Sequence, residues 1–219
     1  MDVRRLLPLS GIVFVALVIL AVILGGSTPG GTAPGDEVAS YYDSHQASEF
    51  INSFVLAASG LFAVLFAATL GRWLVAAQEA PRSIWHRVAL AGSTLVAVSA
   101  AAVGALNFAL ADSPRKVSGS ALQALNLLIN DSWVLFNSAF GVLMVGAAGC
   151  WLTSSRAYRW LGWVALVLGI ALFIPFADFF ALLATGLWII VASVVLFRSQ
   201  AAEPYAVAGQ LTSEVTSGR

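Results

Sequence analysis

The sequence predicts an all-α protein, a polytopic transmembrane bundle of six helices with both termini in the cytoplasm. Three observations predict this fold class: the composition, the long apolar segments and the placement of basic residues. Of the 219 residues, 59% are hydrophobic and only 10% are charged, whereas soluble domains carry about 25% charged residues. So few charges cannot cover a soluble domain, and a disordered chain needs the opposite composition. The composition therefore predicts an integral membrane protein.

Six apolar segments approach or reach the roughly 20 residues that a bilayer-spanning helix needs. They are residues 6–24, 51–73, 88–110, 132–152, 160–174 and 179–197. Only Pro175, Phe176, Ala177 and Asp178 separate the last two segments. One helix over 160–197 would be about 57 Å long at 1.5 Å per residue, against a hydrocarbon core of about 30 Å. The four residues therefore predict a tight helical hairpin.

Basic residues mark one side of the membrane. Arg4 and Arg5 precede the first segment, and Arg198 follows the sixth. Other arginines occupy the even-numbered connections, namely Arg72, Arg82, Arg87, Arg156 and Arg159. The basic residues of the odd-numbered connections are only Arg115 and Lys116. By the positive-inside rule this distribution places both termini of a multi-pass cell-membrane protein in the cytoplasm, with residues 201–219 as a flexible cytoplasmic tail.

The first segment has two interpretations, a retained helix or a cleaved signal peptide. Arg4 and Arg5 followed by an apolar run and Gly25-Gly26-Ser27 suit both. The run is longer than the 7–15 residues of a signal peptide's hydrophobic region, and no clear Ala-x-Ala site follows it. The retained helix is therefore favoured. Cleavage would leave five spans, with the termini on opposite sides of the membrane.

Two extracytoplasmic connections follow from this topology. Residues 25–35 are rich in Gly, Pro and Thr, which is typical of a flexible linker. A helix near 36–49 comes next, with acidic residues at its N-terminus. In the second outer connection, Leu122, Leu125 and Ile129 have amphipathic spacing. They predict a short helix that lies at the interface or extends the fourth span outward.

A possible metal site lies on the first outer helix. A spacing of four aligns Glu37, Tyr41, His45 and Glu49 on one face, and His45 with Glu49 suggests metal binding or proton handling. A polar helix at the membrane surface, with its tyrosines in the aromatic belt, is the favoured interpretation. The other histidine, His86, falls on the cytoplasmic side. The sequence therefore predicts no metal site.

Polar residues within the spans are few, and they gather at the predicted outer ends, where intramembrane polar groups are functional candidates. The candidate ligand-binding residues are Glu49, Asn52, Asn107, Asn130, Asp131, Asn137 and Asp178. Asn126, Asn130 and Asn137 share one helical face, because they follow at steps of four and seven. The inner halves of the spans are almost wholly apolar, which argues against an ion channel. The pattern favours an outward-opening pocket or a sealed polar core.

Each candidate also has a purely structural explanation. Asp131 and Asp178 can cap the fourth and sixth helices, where backbone N–H groups lack intrahelical partners. Asn107 and Asn137 can link helices through hydrogen bonds worth about 0.6 kcal/mol each. The tryptophans cluster at span ends, as an aromatic belt does and a cofactor site does not.

Several function classes are excluded by composition and motif. The 11 Lys and Arg residues balance 11 Asp and Glu residues, so no basic excess is available for nucleic acid. Cys150 is the single cysteine, which rules out an intramolecular disulfide and a thiolate metal cluster. Phosphate-binding, dinucleotide-binding, metalloprotease and serine-hydrolase motifs are absent. We therefore expect no cofactor, and we favour a non-enzymatic role.

The layout resembles a group of uncharacterised bacterial six-helix integral membrane proteins that carry a domain of unknown function. The resemblance rests on a first span, a Gly/Pro linker and the short helix Gly35-Asp-Glu-Val-Ala-Ser-Tyr-Tyr-Asp-Ser-His-Gln46, then a span with a basic inner end. It covers the architecture of most of the chain. It implies a six-span fold and supplies no established activity.

The leading functional hypothesis is a binding or accessory protein in the lipid bilayer. Its outer polar cluster would take a small molecule, a lipid or a partner protein. The alternative is a small secondary transporter or exporter subunit coupled through Asp131 or Asp178. The apolar inner halves and the lack of a recognisable inverted repeat disfavour it. A membrane-embedded metal hydrolase that uses His45 with Glu49 or Asp131 ranks below both.

Overall fold

The computed structural model describes residues 6–76, 84–153 and 158–217, with the side chains of 71–76 and 200–217 left out of that description. Within these ranges the chain is helical and contains no strand. The predicted all-α class is therefore confirmed.

A short 3-10 helix, Leu7–Leu9, precedes the α-helices of the bundle. These are α1 (Ser10–Gly25), α2 (Gly35–Ala76), α3 (Ile84–Asp112), α4 (Gly119–Asp131), α5 (Trp133–Thr153), α6 (Arg159–Ala171) and α7 (Asp178–Ser217). Helix α2 packs along both α1 and α3, α3 packs along α5, and α5 packs along α6. Helix α7 completes the bundle against α6 and α1.

Five helical segments are long and apolar enough to cross a membrane. They are Leu7–Gly25, Gly35–Leu70, Ile84–Asp112, Gly119–Thr153 and Asp178–Ser199. The remaining predicted span, 160–174, is the shorter apolar helix α6 of 13 residues, which is about 20 Å long against a hydrocarbon core of about 30 Å. Six helical segments thus correspond to the six predicted ones, and five of them are long and apolar enough to cross a membrane. Pro175 disfavours a helical conformation at Ile174, and α6 ends at Ala171.

The hairpin predicted between the last two spans is present. The chain turns after Leu172, and Phe176 takes a positive φ of 71°. Helix α7 then starts at Asp178, whose Oδ1 accepts a hydrogen bond from the Phe179 backbone N–H at 2.9 Å. The carboxylate thus binds the first turn of α7, but through the N–H of the next residue and not the N–H two or three residues further on that an N-cap binds.

Two boundaries differ from the sequence-based expectation. The helix near 36–49 and the span from 51 form one continuous helix, α2, of 42 residues, which is about 63 Å long. No Gly or Pro lies near Glu49 to end it, so residues 36–49 continue directly into the segment predicted as the second span. Helix α7 likewise continues to Ser217, beyond residue 201, where the predicted tail begins.

Helices α4 and α5 are separated only by Ser132. Its backbone N–H donates to the Ile129 carbonyl at 3.2 Å, which continues the turn with a tighter hydrogen bond. This arrangement supports the alternative in which the second outer connection extends the fourth span.

Close helix contact at glycines sets the positions of the central helices. A Cβ on Gly92 would overlap the backbone of Leu143, and one on Gly146 would overlap the backbone of Ala89. Helices α3 and α5 therefore approach each other backbone to backbone, as small residues permit in membrane bundles. One end of the bundle is formed by residues 26–34, the start of α2, the end of α3, and α4. We call this the polar end of the bundle.

Candidate functional site

The carboxylate of Glu49 lies at the centre of the candidate site. Its side chain is fully buried, at 0% exposure. Oε2 accepts hydrogen bonds from Asn52 Nδ2 at 3.1 Å and from Asn107 Nδ2 at 2.8 Å. Oε1 lies 3.0 Å from the Tyr41 hydroxyl. All three partners are neutral, and no ion pair to Glu49 is present within the described ranges.

Helical spacing and one glycine assemble this network. Asn52 follows Glu49 by three residues, so both side chains lie on the same face of α2. Asn107 comes from α3, which approaches α2 closely at Gly104. A Cβ on Gly104 would lie 2.7 Å from the Ser53 carbonyl oxygen, a distance that only glycine avoids. The backbone contact brings the Asn107 amide to the carboxylate.

Both ends of the Asn107 amide are engaged. In addition to Glu49 Oε2, Nδ2 lies 3.2 Å from the Glu49 carbonyl oxygen and 3.2 Å from Ser53 Oγ. Oδ1 accepts a hydrogen bond of 3.4 Å from the hydroxyl of the buried Tyr42. Because all its partners are fixed on α2, Asn107 connects the two helices and holds a single orientation.

A partly open cavity of about 190 Å³ adjoins the network. It lies between α2, α3, α4 and the α1–α2 connection, and it is lined by Thr28, Tyr42, Asn52, Leu56, Val103, Asn107, Ile129 and Asn130. Sites for drug-sized ligands enclose roughly 300–1,000 Å³, so this cavity suits a smaller molecule. Its wall is apolar at Leu56, Val103 and Ile129 and polar at the asparagines.

The side-chain amides of Asn52 and Asn130, on the polar wall, bind protein acceptors through nitrogen and keep their oxygens available. Asn52 uses Nδ2 to reach Glu49, and Asn130 uses Nδ2 to reach the carbonyl oxygens of Asn126 at 2.8 Å and Pro29 at 3.3 Å. Since these partners only accept hydrogen bonds, the amide orientations are determined. Neither Oδ1 atom has a protein partner in the part of the chain that the structure describes. The wall is therefore rich in hydrogen-bond acceptors.

The α1–α2 connection is held in place over the cavity. The Tyr41 hydroxyl lies 2.7 Å from the Gly25 carbonyl oxygen, and Asn126 Nδ2 donates to the Gly30 carbonyl at 2.7 Å. With the Asn130–Pro29 hydrogen bond, three side chains bind its backbone. Composition alone predicts a flexible linker here, but these contacts come from distant helices that a local pattern does not reveal.

The remaining predicted site residues lie elsewhere. Asn137 Nδ2 donates to Asp178 Oδ2 at 3.0 Å, and both side chains are buried. This pair joins α5 to the start of α7 and lines no part of the cavity. Asp131 ends α4 with an exposed side chain and makes no side-chain hydrogen bond to another described residue. The predicted cluster therefore divides into Glu49 with three asparagines, one buried pair and one surface carboxylate.

Tyr41, Tyr42 and Ser53 contact the site residues, although the sequence-based prediction left them out. Tyr41 shares the helical face of Glu49, but an aromatic residue near an interface is more typical of the membrane belt. Tyr42 lies on the neighbouring strip of α2 and reaches Asn107 only because α3 packs closely. The one sequence feature that indicates Tyr41 as a site residue is its position on the same helical face as Glu49.

The geometry offers no support for a metal site on His45. The exposed ring stacks on Tyr41, with centroids 4.4 Å apart. Its Nδ1 lies 2.9 Å from the Tyr41 carbonyl oxygen and 2.9 Å from Ser44 Oγ. Across 6–76, 84–153 and 158–217, no group of three or more His, Cys, Asp or Glu side chains could hold a metal ion.

The basic residues at the polar end are already paired on the surface. Arg115 lies 2.7 Å from Asp43, and Lys116 lies 2.6 Å from Asp112. The hydrogen bond and charge of Asp43 raise the pKa of the Arg115 guanidinium above its usual value. These exposed pairs contribute little stability. Because Arg115 and Lys116 are paired with surface aspartates, Glu49 is left with neutral hydrogen-bond donors.

Comparison with known proteins adds no family. No protein-family model, no curated protein and no solved structure matches this chain significantly. The resemblance to bacterial six-helix membrane proteins stays an expectation from the sequence. The chemistry of the site is therefore the basis for a functional proposal.

Proposed function

We propose that the protein is a non-enzymatic binding or accessory protein of the cell membrane, whose cavity beside Glu49 takes a small or lipidic ligand or part of a partner. The cavity itself carries the proposal. It combines an apolar wall with a few convergent polar groups, as ligand sites do. A buried carboxylate in direct hydrogen-bond contact with two of its lining residues gives it chemical specificity.

The acceptor atoms on the wall argue against a sealed structural core. Buried polar atoms in native proteins are almost always hydrogen-bonded. The buried Asn137–Asp178 pair meets that rule only in part, because Asn137 Oδ1 has no hydrogen-bond partner among the described residues. Asn52 and Asn130 differ in position: they line the open cavity, their donors bind protein atoms, and their oxygens are left for another molecule.

We place the polar end on the extracytoplasmic side. Arg87, Arg159 and Arg198 lie at the helix ends away from it, which supports this orientation through the positive-inside rule. The arginines at 4, 5, 82 and 156, on which the rule also depends, lie outside the described residues, and the side chain of Arg72 is not described. With this orientation the cavity faces outward.

Transport through Asp131 or Asp178 remains the alternative and has less support. Asp178 is held by Asn137 and by the start of α7, while Asp131 is an exposed residue at the end of α4. Neither lines the cavity. A coupling carboxylate is expected to contact the substrate or ion site near the membrane midplane, and neither residue does so.

Co-purification tests the proposed function. The full chain would be purified in mild detergent, and its retained small molecules and lipids would be identified by mass spectrometry. Val103→Phe fills the cavity, whereas Val98→Phe adds the same bulk on the exposed face of α3. We expect a retained species in the wild type and in Val98→Phe that is lost in Val103→Phe. Identical content in all three proteins would contradict a ligand in this cavity.

A further inference from the structure

We infer that the cavity takes a small organic cation, a primary amine or a related ammonium compound, whose charge is balanced by Glu49. The inference rests on the proposed function and specifies its ligand. Three features of the site lead to it: the uncompensated carboxylate, the orientation of the amides and the size of the cavity.

The first feature is charge. Burying a carboxylate is costly unless it is paired and hydrogen-bonded. Glu49 receives hydrogen bonds only from neutral groups on α2 and α3, and the α1–α2 connection between Gly25 and Gly35 contains no charged residue. The basic residues of the α3–α4 connection, Arg115 and Lys116, are bound to surface carboxylates. A cationic ligand would supply the missing opposite charge.

The second feature is the polarity of the wall. The Oδ1 atoms of Asn52 and Asn130 accept hydrogen bonds and cannot donate them. An ammonium group has up to three donors and no acceptor, so it matches this wall. A carboxylate or phosphate would meet acceptor oxygens and a buried negative charge, which would repel it. The ring of Tyr42, which also lines the cavity, adds a surface to which a cation is attracted.

The third feature is size. A cavity of about 190 Å³ admits only a few non-hydrogen atoms beyond the cationic head. Leu56, Val103 and Ile129 form its apolar side, and this side suits a short alkyl chain. A short alkylamine therefore satisfies both walls, whereas an inorganic cation would leave the apolar wall without contact.

A proton on Glu49 would be the competing explanation. The Tyr41 hydroxyl has one proton but lies near two oxygens, Gly25 O at 2.7 Å and Glu49 Oε1 at 3.0 Å. A protonated Oε1 could donate to Tyr41 while Tyr41 donates to Gly25. The site would then be neutral and would bind an alcohol as well as an amine, and this difference decides between the two.

Thermal unfolding of the purified full chain with three matched probes tests the inference. The probes are butylammonium, 1-butanol and butyrate, which share an alkyl chain and differ in charge. We expect butylammonium to raise the Tm at lower concentration than 1-butanol, and butyrate to have no effect. Glu49→Gln should weaken butylammonium binding by about tenfold or more, since it removes the buried negative charge that lies behind Asn52 and Asn107 and attracts the cation. Glu37→Gln, an exposed change on the same helix, should bind as the wild type does.

A second variant covers the case in which Glu49→Gln fails to fold. Asn130→Leu removes one acceptor oxygen from the wall without a change in charge, together with the Nδ2 hydrogen bonds to Pro29 and Asn126, and it should also weaken butylammonium binding. Equal binding of 1-butanol and butylammonium to the wild type would overturn the cation while leaving the cavity as a ligand site. Unchanged Tm with all three probes would overturn the cation, while the proposed function is overturned separately, by identical co-purified content in the wild type, Val98→Phe and Val103→Phe.

Discussion

Tyr41 and Glu49 lie two helical turns apart on α2, and the Tyr41 hydroxyl joins the Glu49 carboxylate at 3.0 Å to the last carbonyl of α1, Gly25, at 2.7 Å. The hydroxyl thus connects the buried acid to the end of another helix. Through Asn107 the same acid is bound to α3. Glu49 therefore links three helices at the polar end while it adjoins the cavity, and its role in stability must be separated from its role in binding.

Tyr41→Phe should lower stability by about 1–2 kcal/mol, because it leaves a buried carboxylate oxygen and the Gly25 carbonyl without their shared partner. Ser44→Ala is the matched control, since that exposed hydroxyl bonds only within its own turn and to His45. Thermal unfolding monitored by tryptophan fluorescence measures both. A Tyr41→Phe protein as stable as the control would show that the link contributes nothing.

Gly146→Ala and Gly186→Ala should have opposite effects. A Cβ on Gly146 would overlap the Ala89 backbone of α3, whereas a Cβ on Gly186 would meet only Val15 Cγ1 at 3.8 Å. The first change forces two helices apart and should cost about 2 kcal/mol or more. The second should be neutral or stabilising by up to about 1 kcal/mol, because alanine favours helix. Equal effects on the unfolding midpoint would contradict the described α3–α5 contact.

The two aspartates of the transport alternative should also behave differently. Asp178→Ala removes the acceptor for Asn137 and for the start of α7, which should cost about 1–3 kcal/mol. Asp131→Ala changes an exposed side chain and should stay within about 0.5 kcal/mol. Proton-coupled uptake in proteoliposomes that is lost in Asp131→Asn would instead establish the transporter.

The first helix should be retained in the mature protein. Phe14 and Val15 are buried in the bundle core, and a Cβ on Gly11 would overlap Ser193 of α7. Removal of α1 would expose apolar residues that pack against it, such as Phe66 of α2 and Ile189 of α7. Intact mass measurement of the membrane-extracted protein should therefore show the first segment present, and a mass that lacks it would establish a signal peptide.

Orientation has a separate test. Cysteine introduced as Asp43→Cys lies on the exposed part of α2, while the native Cys150 is buried. A membrane-impermeant thiol reagent should label Asp43→Cys in intact cells and leave the parent chain unlabelled. Labelling that requires cell lysis would place the polar end in the cytoplasm.

The sequence predicts the fold class well, because hydropathy and segment length are local properties that the bilayer constrains strongly. The length of α6 was harder to predict: apolar residues continue to Ile174, but Pro175 ends the helix several residues earlier. The change from polar to apolar composition near Glu49 predicts a helix boundary, whereas α2 is continuous there because no Gly or Pro interrupts it.

The site was only partly predictable. Glu49 and Asn52 were identifiable together from their spacing on one helix. That Asn107 reaches them, while Asn137 pairs with Asp178, depends on the rotation and close approach of α3 and α5 at glycines, which no spacing within one helix encodes. Asp131 was included because it is charged and near the interface, but rotation of α4 places it on the surface.

The most direct test of the binding claim is the carboxyl ¹³C resonance of Glu49 in protein labelled at glutamate side chains, with the peak assigned through Glu49→Gln. The chain has few glutamates, so the peaks are resolvable. Addition of butylammonium should shift the Glu49 resonance and leave that of exposed Glu37 unchanged, and butyrate should shift neither. A Glu49 resonance that stays in place at every butylammonium concentration would contradict the assignment of this carboxylate to a cation-binding cavity.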